Sequence, residues 1–180
     1  MRISAEGLAE GVPFVPSPNC DERPPGAAIE LLVIHAISLP PGEFGGPGIE
    51  QLFMNALDST QHPYYAGLAG LAVSAHFLVR RDGGITQFVP CSRRAWHAGV
   101  SSWRARGRCN DYSIGIELEG AEDVAFEAPQ YVSLARLTRA LQAAYPIADV
   151  VGHSDIAPGR KTDPGPRFDW DRYRTLIPTS

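Results

Sequence analysis

The segment from Val151 to Trp170, VGHSDIAPGRKTDPGPRFDW, sets one histidine, one lysine and several aspartates among glycines and prolines. Pro158, Pro164 and Pro166 lack a donor N–H and fix φ, so the stretch reads as a shaped loop and not a regular element. Ordered loops held on a scaffold commonly carry chemistry, and His153, Lys161 and Asp163 are the groups this one presents. Of the 16 basic residues, 15 are arginine and Lys161 is the single lysine. Chance could leave one lysine anywhere. The functional reading is that this site needs a compact, rotatable ammonium, which arginine cannot supply.

Two further histidine and carboxylate positions join this loop. His35 closes the apolar run Ile29–His35, His153 follows a short apolar run at 148–151, and Asp163 lies ten residues beyond His153. Two histidines and one carboxylate are a set by which zinc hydrolases hold their metal while leaving a fourth position to water. A lone buried histidine at a strand end is more often a hydrogen-bonded core residue; the company of His153, Asp163 and Lys161 makes His35 a candidate ligand. In SIGIELE, Gly115, Glu117 and Glu119 alternate with Ile114, Ile116 and Leu118, so the two glutamates share one face. If that face lines a cavity, one carboxylate can take a proton from water; if it meets solvent, both are surface charge. Trp96 and His97, in AWHAG, sit in an aromatic and glycine-rich loop suited to walling a sugar or peptide. His76 reads as core or as support for the site, and His62, before Pro63, as surface.

These groups need elements to hold them. Ile29–His35 reads as a buried strand, 49–57 as a helix, and 75–79 with 85–89 as a hairpin turning at Arg81-Asp82-Gly83-Gly84. Ser92–Asp111 reads as a long functional loop and Ser113–Glu119 as a strand. Pro129–Tyr145 is expected to be a helix with Val132, Leu134, Leu137, Leu141 and Tyr145 on one stripe. A short strand at 148–151 and a last helix at 169–176 complete the order. The class is α/β or mixed α+β, with a central mixed sheet flanked by helices. Residues 1–28, rich in proline and glycine, are expected to be an irregular arm before one domain at 29–180.

A chain of 180 residues with 44% hydrophobic and 20% charged residues is an ordinary globular domain. Its net charge of −4 argues against nucleic acid as a partner. Arg80, Arg81, Arg93, Arg94, Arg104, Arg106 and Arg108 crowd into one stretch, either as a solvated face or as recognition of an anionic ligand. Cys20, Cys91 and Cys109 are few, odd in number and scattered, which is no disulfide framework and fits a reducing compartment. With Glu6 and Glu10 near the start and no apolar signal or membrane-spanning run, a soluble cytoplasmic protein without a membrane partner is expected.

The segments LLVIHAISLPPGEFGGPG, VSAHFLVRRDG, RRAWHAGVSSW, RCNDYSIGIELEG and GHSDIAPGRKTDPGPRFDW together resemble the AmpD-type zinc amidases. These are N-acetylmuramoyl-L-alanine amidases that act on anhydro-muropeptides in cell-wall recycling. The likeness runs from about Val15 to Trp170. AWHAG and GIELEG also occur in the wider superfamily of peptidoglycan-recognition proteins and phage lytic amidases, whereas PPGEFGGP with RKTDPGP narrows it to the recycling branch. The resemblance implies one zinc in a groove, with His35, His153 and Asp163 as ligands and Glu117 as general base. It also implies Lys161 at the oxyanion of the tetrahedral intermediate and Arg108 on the anionic peptide stem. A small anhydro-muropeptide is the implied substrate, and a monomer is expected. The chain departs from the family pattern at Ala36, where asparagine is usual, and at Ala72, where arginine is frequent. Two other readings are a recognition module of the same fold that binds fragments without cutting, and a lytic amidase for intact wall. The first loses a zinc ligand and the second needs export.

Overall fold

The apolar run around His35 and the alternating SIGIELE segment become the two long strands at the middle of a five-stranded sheet. The structure, a computed structural model, describes residues 1–177; positions 178–180 of the expected domain lie outside the described residues. In chain order the elements are β1 (Cys20–Glu22), β2 (Leu31–Ile37), α1 (Gly48–Phe53), α2 (Pro63–Ala66), β3 (Phe77–Val79), β4 (Ile85–Gln87) and β5 (Arg93–Ala95). There follow β6 (Ser102–Trp103), β7 (Arg106–Gly107), a 3₁₀ turn (Cys109–Asp111), β8 (Ser113–Glu119), α3 (Ala128–Ala144), β9 (Asp149–Gly152), α4 (His153–Ile156) and α5 (Trp170–Leu176).

The sheet order is β4-β3-β8-β2-β9. β3, β8, β2 and β9 run parallel, and β4 pairs antiparallel at the edge through the expected hairpin. Parallel strands are covered on both faces, and Leu31 to Ile34 are accordingly buried without interruption. One face packs Leu32, Ile34, Ile114, Ile116 and Leu118 against Leu134, Leu137 and Leu141 of α3 and Tyr173 of α5. On the other, Leu78 packs with Ile49, Leu52 and Phe53 of α1 and with Tyr65 of α2. The expected mixed sheet with flanking helices is therefore present.

Helix α3 begins one residue before Pro129, where a missing N–H costs nothing. The Gln130 amide donates to the carbonyls of Val79 and Glu119, tying the helix start to the ends of β3 and β8. Val132 does not belong to the buried stripe. It is 60% exposed, because two residues of a 3.6-residue helix carry it to nearly the opposite side from Leu134. Helix α1 also stops short of the expected 57, since Asn55 takes a left-handed φ of 56° just past its end.

Two other expectations change. The first 28 residues are not wholly irregular: β1 pairs with β5, and the half-buried Arg23 guanidinium donates to the carbonyls of Cys91, Asn110, Asp111 and Ser113. Burial without a carboxylate partner lowers its pKa to about 10. The segment 92–111 holds three short strands and a 3₁₀ turn, so it is a folded wall and no long open loop. The three cysteines are free. Among the described residues no helix is long and apolar enough to cross a membrane.

Candidate active site

The candidate groups gather at the C-terminal ends of the parallel strands, where open α/β sheets place their ligands. His35 in β2 is the register partner of Glu117 in β8, so both side chains stand on one face. β9 ends at Gly152, and His153 opens α4 directly beyond it. The Ser154 N–H donates to the Asp163 carbonyl and the Lys161 N–H to that of Ala157, folding the loop back over the strand ends. A Cβ on Gly152 would lie 2.8 Å from Pro164 Cδ; the strand end and the Asp163 loop approach closely because that residue is glycine.

Three ligand atoms meet there. His35 Nδ1 lies 2.9 Å from His153 Nδ1 and 3.2 Å from Asp163 Oδ2, and His153 Nδ1 lies 3.1 Å from the same oxygen. This triangle is close to one face of a tetrahedron built on Zn–N bonds of about 2.0–2.1 Å, whose edges are roughly 3.4 Å. The donor set is the one zinc hydrolases use, so the residues fit the metal. His153 Nε2 lies 3.1 Å from the Ala98 carbonyl, an acceptor that leaves Nδ1 with its lone pair facing the triangle. Burial lowers the pKa of His35 to about 4, so its ring is neutral at pH 7. Burial alone would raise the Asp163 carboxyl; the His153 and His35 rings set against its Oδ2 outweigh that and hold it well below the usual carboxylate range.

Glu117 is half-buried and its Oε2 is buried with no hydrogen-bond partner. Burial, and then the charge of Asp163, push its pKa well up, against the pull of Lys161. Glu119, its neighbour on the same face, is committed to the fold, accepting from Arg80 at 2.9 Å and from the Gly45 N–H. Lys161 is exposed on the wall of a cleft of about 360 Å³ that also contains the triad, Glu117 and Trp96. Leu39, Phe53, Tyr64, Leu68 and Leu71 also line the cleft. Ala36 lines the cleft, while Ala72 lies on an adjoining cavity.

His97 is placed differently from its expected role at the substrate. Its ring is buried, with Nδ1 2.9 Å from His35 Nε2 and Nε2 3.0 Å from Ser113 Oγ, so neither nitrogen is left for a ligand. His76 is buried behind it, accepting from the Gly115 N–H, and His62 caps α2. Arg108 is not among the cleft residues; its side chain is 74% exposed and its Nε donates to Asp111. The RCND segment reaches the site through Asn110, whose Oδ1 accepts from the N–H groups of His97 and Ala98.

Most of the arginine-rich stretch is occupied inside the molecule. Arg80 pairs with Glu50 and Glu119, Arg81 with Glu127, Arg94 with Asp21 and Asp111, Arg104 with Asp149, and Arg106 with Glu30. Those arginines fasten the wall and are not a free anion-binding face. Sequence reasoning misses Ser113, Asn110 and Arg160, whose guanidinium donates to the carbonyls of Ala98 and Val100. A glycine inside a strand, Gly115, is the one sequence signal of a close approach here, and what approaches it is the His97 ring.

A buried two-histidine, one-carboxylate corner beside an unpartnered glutamate is the equipment of a metal-dependent hydrolase. The sequence profile of N-acetylmuramoyl-L-alanine amidase matches residues 25–166, and the chain belongs to that family, in its AmpD-type branch. It is 58% identical over 177 residues to the 1,6-anhydro-N-acetylmuramyl-L-alanine amidase AmpD of Citrobacter freundii, covering 97% of this chain and 95% of that one. Its fold superposes with a TM-score of 0.96 on a crystal structure of a selenomethionine AmpD derivative, at 56% identity over 99% of this chain and 100% of that one. The Escherichia coli amidase AmiD, in complex with anhydro-N-acetylmuramic acid-L-Ala-D-γ-Glu-L-Lys, matches with a TM-score of 0.61 at 32% identity, over 88% and 65% of the two chains.

Proposed function

We propose that this chain hydrolyses the amide between the lactyl group of 1,6-anhydro-N-acetylmuramic acid and L-alanine, in small muropeptides met in the cytoplasm during peptidoglycan recycling. The observation that carries the reading is the unpartnered Glu117 oxygen beside the His35, His153 and Asp163 triangle. A buried carboxylate oxygen without a partner is costly to keep, and a water held between it and the triangle would satisfy it.

His35, His153 and Asp163 would hold zinc, which when bound supplies Lewis-acid polarisation of the lactyl carbonyl and makes a water more acidic. Glu117 takes the proton as the water oxygen bonds to the carbonyl carbon. The Lys161 ammonium faces the oxygen that gains charge. As the C–N bond breaks, Glu117 returns the proton to the departing alanine nitrogen, leaving a lactyl carboxylate and a free peptide amine. The apolar side chains lining the cleft and Trp96 suit the compact sugar body, whose anhydro bridge removes the anomeric hydroxyl. Arg108 donates to Asp111 through Nε, and its terminal nitrogens, on the exposed side, suit a stem carboxylate.

The test is mass-spectrometric product analysis on anhydro-muropeptide and on intact wall, with zinc content measured in the same samples. Release of anhydro-N-acetylmuramic acid and the intact stem peptide from the small substrate is expected. Equal kcat/KM on intact wall would point to a lytic enzyme, and binding without cleavage to a recognition module.

A further inference from the structure

His153 and His35 are supported in different ways. The nitrogen of His153 turned away from the triangle faces the Ala98 carbonyl, which can only accept. The corresponding nitrogen of His35 faces another imidazole, Nδ1 of His97 at 2.9 Å, and His97 Nε2 faces Ser113 Oγ at 3.0 Å. An imidazole nitrogen and a hydroxyl can each donate or accept. The row His35–His97–Ser113 can therefore be ordered in either direction. Running from His35 to Ser113, it leaves His35 Nδ1 with a lone pair aimed at the triangle. Running the other way, it puts a proton on that atom and removes a ligand.

The surroundings are built to seat His97 there. A Cβ on Gly115 would stand 2.4 Å from His97 Cγ, so the ring occupies the space that this glycine leaves in β8. The His97 and Ala98 N–H groups are both held by Asn110 Oδ1, and the His35 and His97 rings meet edge to face at 5.0 Å. Neither ring nitrogen of His97 is free to bind substrate.

We infer that His97 is a positioning residue for the metal ligand His35: it accepts the His35 Nε2–H and donates its own Nε2–H to Ser113, which fixes His35 in the tautomer that presents Nδ1. This rests on the reading of His35, His153 and Asp163 as the zinc set. Ser113 is the far end of the device and Gly115 the notch that admits it.

The experiment measures the zinc dissociation constant of the full chain by competition with a chromophoric chelator, for the wild type and three variants. His97→Phe fills the notch with no acceptor, and zinc should bind about 10- to 100-fold more weakly, the usual loss for partners of metal-bound histidines. His97→Asn places Oδ1 where Nδ1 was and should recover most of that loss. In the wild-type zinc form, ¹⁵N spectra should show His35 protonated at Nε2. Wild-type zinc affinity in His97→Phe, or His97→Asn as weak as His97→Phe, overturns the inference. Should His97→Phe not fold, Ser113→Ala removes only one hydroxyl; a several-fold weaker affinity supports the inference and an unchanged one overturns it. A wild-type chain that takes up no zinc would defeat the metal reading itself. A zinc-binding wild type with an unaffected His97→Phe would defeat only the role of His97.

Discussion

His35 and Glu117 are register partners on adjacent parallel strands, β2 and β8. Neighbouring strands lie about 4.8 Å apart with partner side chains on the same face, so pairing alone sets a candidate ligand beside a candidate base. His153 and Asp163 then need only fold over the same strand ends, and the 161–164 loop does this. The triad and base thus combine two residues of rigid sheet, His35 and Glu117, with His153 at the start of α4 and Asp163 in the loop beyond it.

The metal assignment has a direct consequence. His153→Ala removes one corner of the triangle, and the protein should lose both activity and most of its zinc. Elemental analysis finding a full equivalent of zinc in that variant would contradict the assignment.

Catalysis separates from metal retention at the other two groups. Glu117→Gln keeps the shape of the side chain but not its basicity, and should retain zinc while kcat falls by roughly 10²- to 10⁴-fold. Lys161→Ala should act on kcat more than on KM, because an oxyanion partner works chiefly in the transition state. A rise in KM with kcat intact, in either variant, would mean that the residue serves binding and not the chemical step.

Much of this site is legible in the sequence, and the unread part has a physical pattern. His35, Glu117, Lys161, His153 and Asp163 stand out because their types and their places at strand or loop ends are unusual for packing. The alternation in SIGIELE identifies a shared face but cannot separate Glu117 from Glu119, since the difference lies in Arg80, thirty-nine residues from Glu119. His97 reads as a ligand wall because AWHAG is aromatic and glycine-rich; its burial depends on the space at Gly115, across the sheet. The arginine stretch reads as one surface, whereas its partners Asp21, Glu30, Glu50, Glu127 and Asp149 are scattered along the chain. Long-range pairing of that kind leaves no local trace.

Arg108 supplies a test of substrate grip. Its exposed guanidinium is held to Asp111 through Nε, and as an exposed charge it contributes little to the fold. Arg108→Ala should raise KM several-fold for a muropeptide with a free stem carboxylate while leaving kcat and thermal stability close to wild type. Added salt should weaken wild-type binding and have less effect on the variant. Unchanged KM and salt dependence in Arg108→Ala would remove this residue from the binding site.

Acid should destabilise the fold through buried histidine, and His76 is the clearest case. Burial, followed by the nearby positive charge of Arg23, lowers its pKa to about 3, and the His97 ring lies 5.9 Å away. A free histidine titrates near 6.5. Between about pH 6.5 and 3, therefore, the unfolded chain binds a proton at this position that the folded protein does not, and stability falls as pH falls. The loss saturates below the folded pKa and is on the order of a few kcal/mol for a fully buried group. Denaturant melts should be run with a chelator present, so that metal release contributes nothing. Wild type should lose stability steadily from pH 7 to 4, with His35 and His97 adding to the slope. His76→Gln should be less stable at pH 7, because the Gly115 N–H loses its imidazole acceptor, yet its stability should fall less steeply with acid, by about one proton. A slope identical to wild type would show that His76 is already protonated in the folded protein or does not titrate differently on unfolding.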